Sequence, residues 1–185
     1  MNIQMIFGKP CNDYAAVLQH FAGTKTSSNK TSSLPLAQFW KDAATRLTAL
    51  ETALQMPLQN AVLCFEYPTA PAQGRGKASM TDLMILSGNR QVSIEAKYTE
   101  YSKMRTKTVS DWLNKSDTDN RQKVLAGWWN MIAPFRHNTE TPDEIGYQFL
   151  HRTASACNGA TQAAVIYLLF YDNDTQPFLN RYKPL

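Results

Sequence analysis

Two runs of strand-forming residues, 81–86 and 91–97, flank Ser87-Gly88-Asn89-Arg90, and no other stretch constrains this chain more. Aliphatic and β-branched residues on both sides of a Gly-Asn step predict a β-hairpin. With Gly88 and Asn89 as the loop, Ser87 faces Arg90, Leu86 faces Gln91, Met84 faces Ser93 and Asp82 faces Glu95. Side chains alternate between the faces of a strand. One face then carries Leu83, Ile85, Val92, Ile94 and Ala96, an apolar surface suited to a core. The other carries Asp82, Met84, Ser93, Glu95 and Lys97. A three- or five-residue loop would slip the register by one and turn Asp82 to the opposite face.

In this register the two carboxylates are direct cross-strand neighbours, roughly 5 Å apart at Cβ. Adjacent carboxylates repel unless something compensates. A hard divalent cation such as Mg²⁺ takes oxygen ligands from one or two carboxylates and is the natural compensation. Lys97 lies two residues beyond Glu95 and points to the same side. The plainer alternative is an unrelated α/β protein in which Glu95 and Lys97 form an ordinary surface pair. Exposed pairs of that kind are common and contribute little.

At 185 residues, a single domain spanning 1–185 is the default, and 43% hydrophobic content is enough for a core. The net charge of +4 and pI near 9.0 are compatible with a polyanionic partner. Arg75 and Lys77 precede the hairpin, and Lys97, Lys103, Arg105 and Lys107 follow it. Cys11, Cys64 and Cys157 are far apart, with no Cys-x-x-Cys or Cys/His ligand spacing. Neither a zinc site nor a disulfide framework is expected, and free thiols suit a reducing cytoplasm. Residues 1–10 lack the pattern of a signal peptide, and no apolar run approaches the ~18 residues of a membrane span. The expectation is a cytoplasmic protein without a membrane partner.

Along the chain, Asn12 or Asp13 is placed to cap a helix through Phe21, followed by a polar, low-complexity loop over 23–33. Apolar residues at helical spacing predict an amphipathic helix from Pro35 to Met56. A strand over 61–67 is expected to stop at Pro68. Gly74-Arg75-Gly76-Lys77 lies in a Pro/Gly loop and lacks phosphate-loop spacing. Residues 98–118 give no clear periodicity, and 119–132 read as a helix. Thr141-Pro142-Asp143-Glu144 predicts the start of a helix running to about Cys157. The apolar run 163–171 predicts a strand buried on both faces.

The order helix, three strands, helices, strand, with an Asp followed by Glu-x-Lys, resembles the PD-(D/E)xK nuclease superfamily. The resemblance covers about residues 35–171, but residue identity only about 67–98. Thr81 stands where a Pro often precedes the Asp. The resemblance implies an α/β fold with a restriction endonuclease-like αβββαβ core, a mixed central sheet flanked by helices. It also implies a Mg²⁺- or Mn²⁺-dependent nuclease acting on nucleic acid, with DNA the expected substrate. Asp82 and Glu95 would hold the metal, with the Ala96 carbonyl as a third ligand and Glu66 or Glu51 as a further acid. Lys97 would activate water or steady the transition state. Gln148 and Arg152, which share a helix face with His151, would contact substrate along with Arg75 and Lys77. Tyr98 and Tyr101 are placed to stack on bases or sugars. Cutting both strands of a duplex would favour a homodimer. The competing expectation is a non-catalytic nucleic-acid-binding or accessory protein with the same fold.

Overall fold

The alternation read from the hairpin organises the whole molecule, because each face of its sheet is covered by a different set of helices. The structure, a computed structural model, describes residues 3–22, 31–98, 107–115, 117–137 and 145–171. Its strands are β1 (Gln4–Phe7), β2 (Lys9–Cys11), β3 (Val62–Thr69), β4 (Ser79–Ser87), β5 (Arg90–Lys97) and β6 (Gln162–Leu169). They form one sheet in the order β2-β1-β3-β4-β5-β6. β1 is parallel to β3 and β5 to β6, while the other neighbours are antiparallel, so the sheet is mixed.

Helices α1 (Tyr14–Ala22), α2 (Ser33–Phe39) and α3 (Ala43–Leu54) cover one face. There Val17, Phe21, Leu36, Trp40 and Leu47 pack on Leu63, Phe65, Leu83, Ile85, Val92 and Ile94. Burying each large aliphatic or aromatic side chain stabilises the fold by about 1.5–3 kcal/mol relative to leaving it in water. Helices α4 (Val109–Leu113), α5 (Thr118–Ile132) and α6 (Tyr147–Cys157) lie on the other side, joined by Val124, Trp128, Ile132, Leu150 and Ala154. α6 contacts β4, β5 and β6.

Local chemistry explains where elements begin. Asp13 caps α1, its Oδ1 accepting the Ala16 amide at 2.8 Å. The single helix expected over 35–56 is instead two, separated by a 3-10 turn at Trp40–Asp42. Asp42 leaves helical geometry and its Oδ1 accepts the Thr45 amide at 3.3 Å, which starts α3 afresh. β1 and β2 are too short for periodicity to reveal, and Gly8 turns between them at φ +67°.

The hairpin register is the expected one from Ser87↔Arg90 to Leu83↔Ile94, with Gly88 supplying the left-handed φ of +58°. β3 does not stop at Pro68. Pro68 is exposed and faces exposed Met80, so water can serve the carbonyl left without a ladder donor. β6 is not buried on both faces. It is the last strand of the sheet and its residues are half-buried.

The helix expected from Thr141 begins only at Tyr147. Ile145 and Gly146 are not helical, and Thr108 bridges Gly146 in antiparallel fashion. Thr108 also forms a reciprocal cap with Asp111, which builds α4 in the stretch that showed no periodicity. The loop over 23–30, the helix start at 141–144, Tyr101, Lys103 and Arg105 lie outside the described residues. Among the described residues, no helix is long and apolar enough to cross a membrane.

Candidate functional site

The hairpin ladder ends where its carboxylates begin. Hydrogen-bonded rungs alternate along an antiparallel pair, so counting from Ser87↔Arg90 the rung after Leu83↔Ile94 would join Thr81 and Ala96. Asp82 breaks it: its Oδ2 accepts the Ala96 amide at 2.7 Å. The β3–β4 ladder also skips one pair, Glu66 with Asp82, and Glu66 sits at φ +49°, a conformation that costs a non-glycine residue energy. A single transverse row thus holds Glu66 on β3, Asp82 on β4, Glu95 on β5 and Tyr167 on β6. Cys64, Met84, Ser93 and Val165 form the next row.

Glu95 is 1% exposed, and a buried carboxylate needs partners. It has three. Oε1 accepts from Lys97 Nζ and from Gln148 Nε2, both at 2.6 Å, and Oε2 accepts from Arg152 Nε at 2.5 Å. Gln148 and Arg152 are one turn apart on α6, so that helix lays both donors on the same carboxylate. Arg152 is itself only 8% exposed and its Nη1 donates to Ser79 Oγ. His151 Nδ1 lies 2.8 Å from the same hydroxyl. A continuous polar chain therefore runs Lys97, Glu95, Arg152, Ser79, His151.

Three groups in this cluster have displaced titrations. Asp82 keeps some solvent contact as a residue, but protein surrounds most of its carboxyl. Burial first, and the Glu95 charge second, push it up to about 7, against the Ala96 amide, Lys97 and Arg152. Burial, and then Arg152, push the His151 imidazole down to about 3, so it is neutral at physiological pH. Burial and Glu95 also raise the Tyr167 phenol, whose hydroxyl is buried without a hydrogen-bond partner among the described residues.

The donor set suits a hard divalent cation. Asp82 Oδ1 has no partner among the described residues, and its reluctance to ionise beside Glu95 is the condition a cation relieves. The N–H and C=O of one strand residue face the same neighbour, so the Ala96 carbonyl opens toward Asp82. No cluster of three or more His, Cys, Asp or Glu side chains able to hold a metal occurs among the described residues. Mg²⁺ sites commonly use one or two carboxylates and complete their shell with water and phosphate.

Of the residues singled out from the sequence, Asp82, Glu95, Lys97, Gln148 and Arg152 come together. Glu66 takes the register position beside Asp82. Glu51 does not reach the site. Its Oε1 accepts the Leu58 amide at 2.6 Å, next to Gln59, whose carbonyl accepts from Ser87 at the hairpin end. Asp82 is five residues along β4 from Ser87, roughly 17 Å at strand rise. Arg75 and Lys77 line a neighbouring recess rather than the carboxylates. Ser79 and Tyr167 went unnoticed in the sequence. The one signal for Ser79 was its place on the strand that leads to Asp82; Tyr167 was hidden in an apolar run.

A family model described as "Domain of unknown function (DUF6946)" matches residues 10–184. No curated protein and no solved structure matches the chain.

Proposed function

We propose that this chain, which belongs to the DUF6946 family, is a divalent-metal-dependent nuclease with a restriction endonuclease-like core, acting on the phosphodiester bonds of DNA. One observation carries the reading: two carboxylates on adjacent strands, one held up to about 7, with the Lys97 ammonium 2.6 Å from the other. Asp82, Glu95 and the Ala96 carbonyl would hold Mg²⁺ or Mn²⁺. That ion would polarise the phosphate and lower the pKa of bound water.

The chain's own groups have separable tasks. Lys97 places a positive charge at the open side of the carboxylate pair, where it can orient water or offset charge developing on the phosphate. Arg152 and Gln148 fix the Glu95 carboxylate in one rotamer, since each of its oxygens is already committed. Neutral His151 and Ser79 anchor Arg152 from behind. The same three donors on Glu95 also favour a second reading, a non-catalytic nucleic-acid-binding protein of the same fold, because that charge is already compensated.

Cleavage of labelled plasmid and oligonucleotide DNA with Mg²⁺, Mn²⁺ or EDTA separates the two. Metal-dependent cutting is expected, reduced by about 10²–10⁴-fold in Lys97→Met and in Asp82→Asn. Full activity in the double variant, or no cutting by folded wild-type protein on any substrate, would end the nuclease reading.

A further inference from the structure

Beside the carboxylate site lies a second recess of about 580 Å³, within the range of ligand pockets. Residues 75–77 form one wall and α5 another, and the segment 72–75 is fitted closely against α5. A Cβ on Gly74 would come within 2.6 Å of Val124 Cγ2, and one on Gly127 within 2.5 Å of the Gln73 amide. Asn120 fastens the segment at both ends of one residue: its Oδ1 accepts the Arg75 amide at 2.8 Å, and its Nδ2 donates to the Arg75 carbonyl at 2.7 Å. The Pro/Gly loop read from the sequence is therefore a shaped wall.

The lining is cationic and aromatic. Arg75 and Lys77 are exposed into it, and neither has an ion-pair partner among the described residues. Arg121 is held over the Trp112 ring, 4.8 Å from its centroid, with Nη1 donating to the Trp112 carbonyl at 2.7 Å. Trp112 in turn stacks on Tyr147 at 4.1 Å and 9°. Asp117 is the acid among the lining residues, against three cations. Lys115 adds positive charge nearby, its ammonium held below the ordinary range by Lys107 and, more weakly, by Arg121. One guanidinium fixed in place, with a second guanidinium and ammonium groups beside it, matches the geometry and charge of phosphate.

The recess adjoins the carboxylates through residues close in sequence. Tyr147 lines it, and Gln148 donates to Glu95; Lys77 lines it, and Ser79 binds Arg152. We infer that this recess binds a phosphate group carried on a nucleic-acid strand, next to the bond held between Asp82 and Glu95. The placement of the strand rests on the nuclease reading; the recognition of phosphate does not. The phosphate is either an internal phosphodiester beside the cut or the phosphate at a strand end.

The test is binding in EDTA, where no metal-dependent cutting can occur. Fluorescence anisotropy would follow 3′-labelled single strands and duplexes, with a 5′-hydroxyl or a 5′-phosphate, at several salt concentrations. Arg75→Gln/Lys77→Gln is the principal variant, because both side chains are exposed and outside the hydrophobic cores; thermal melting confirms its fold. Its Kd should rise roughly tenfold, and the slope of log K against log salt should fall by about 0.7–0.9 for each phosphate no longer neutralised. Inorganic phosphate should compete for the wild type and not for the variant. A folded variant with wild-type Kd and slope would overturn the inference. A preference for the 5′-phosphate assigns the strand end, and equal affinity assigns the internal phosphate. A wild type that binds this way yet cuts nothing with Mn²⁺ keeps the recess and ends the nuclease reading. One that cuts, with the double variant unchanged in affinity, ends the recess alone.

Discussion

The two faces of the central sheet solve opposite problems. Toward α1–α3, Leu63, Phe65, Leu83 and Ile85 join a large apolar cluster, and burial itself is the stabilising term. Toward α6, the same sheet buries Glu95 against Arg152, and each buried charge there has to be matched before the face can close. The comparison teaches that one sheet can take its stability from one face and gather its buried charges on the other. A substitution on each face should then fail in a different way.

The largest effects fall on stability. Phe65→Ala removes a ring at 1% exposure from the apolar face and should cost about 3–5 kcal/mol in denaturant unfolding, with cleavage per folded molecule unchanged. Arg152→Ala should cost up to a similar ~3–5 kcal/mol, because it removes the partner of Glu95 Oε2 and leaves Lys97 as the ion-pair partner of a buried carboxylate. Here, unlike at Phe65, the double variant Arg152→Met/Glu95→Gln should recover much of the loss while activity stays absent. If Arg152→Ala were no worse than a surface change, the view of this face as charge-matched would be wrong.

The smallest effect has the opposite sign. The folded-state Asp82 value of about 7 lies above the ordinary 3.8, so its contribution to stability is complete below 3.8 and is lost as pH rises through 7. Asp82→Asn should therefore raise the melting temperature at pH 8, by about 2–4 °C per kcal/mol, and not at pH 4. Mn²⁺ should stabilise the wild type at pH 8 and leave the variant unmoved. His151 runs the other way: its depressed value gives stability that is present above 6.5 and lost as pH falls toward 3. The two windows overlap and oppose, so Asp82→Asn should also steepen the acid side of the profile.

How much of this was legible follows from the same asymmetry. The apolar face was readable because alternation has period two, and the register from Ser87 to Leu83 followed from one Gly-Asn turn. Asp82, Glu95 and Lys97 were readable because their spacing is local. Their strand-end geometry was not. Nothing in the sequence says that Asp82 would replace a ladder bond, or that Glu66 would adopt a left-handed φ. Arg152 was expected to contact substrate, and only the docking of α6 against β5 shows it on the Glu95 carboxylate. Glu51 was misplaced because position on a helix does not give distance along a strand. The break at Asp42 was missed because Trp40 and Ala43 keep the helical spacing across it.

Cys64 sits one row behind the acids, on the face against which α6 packs, with 4% exposure and a thiol that burial pushes up to about 11. At neutral pH it offers alkylating reagents almost no thiolate and no path. Half-exposed Cys11 lies on the far edge strand, at the margin of the apolar core under α1, and keeps contact with water. The molecule thus carries its own clock and its own reference. The reaction rate at Cys64, set against that at Cys11, times how often the helical cover lifts from the sheet.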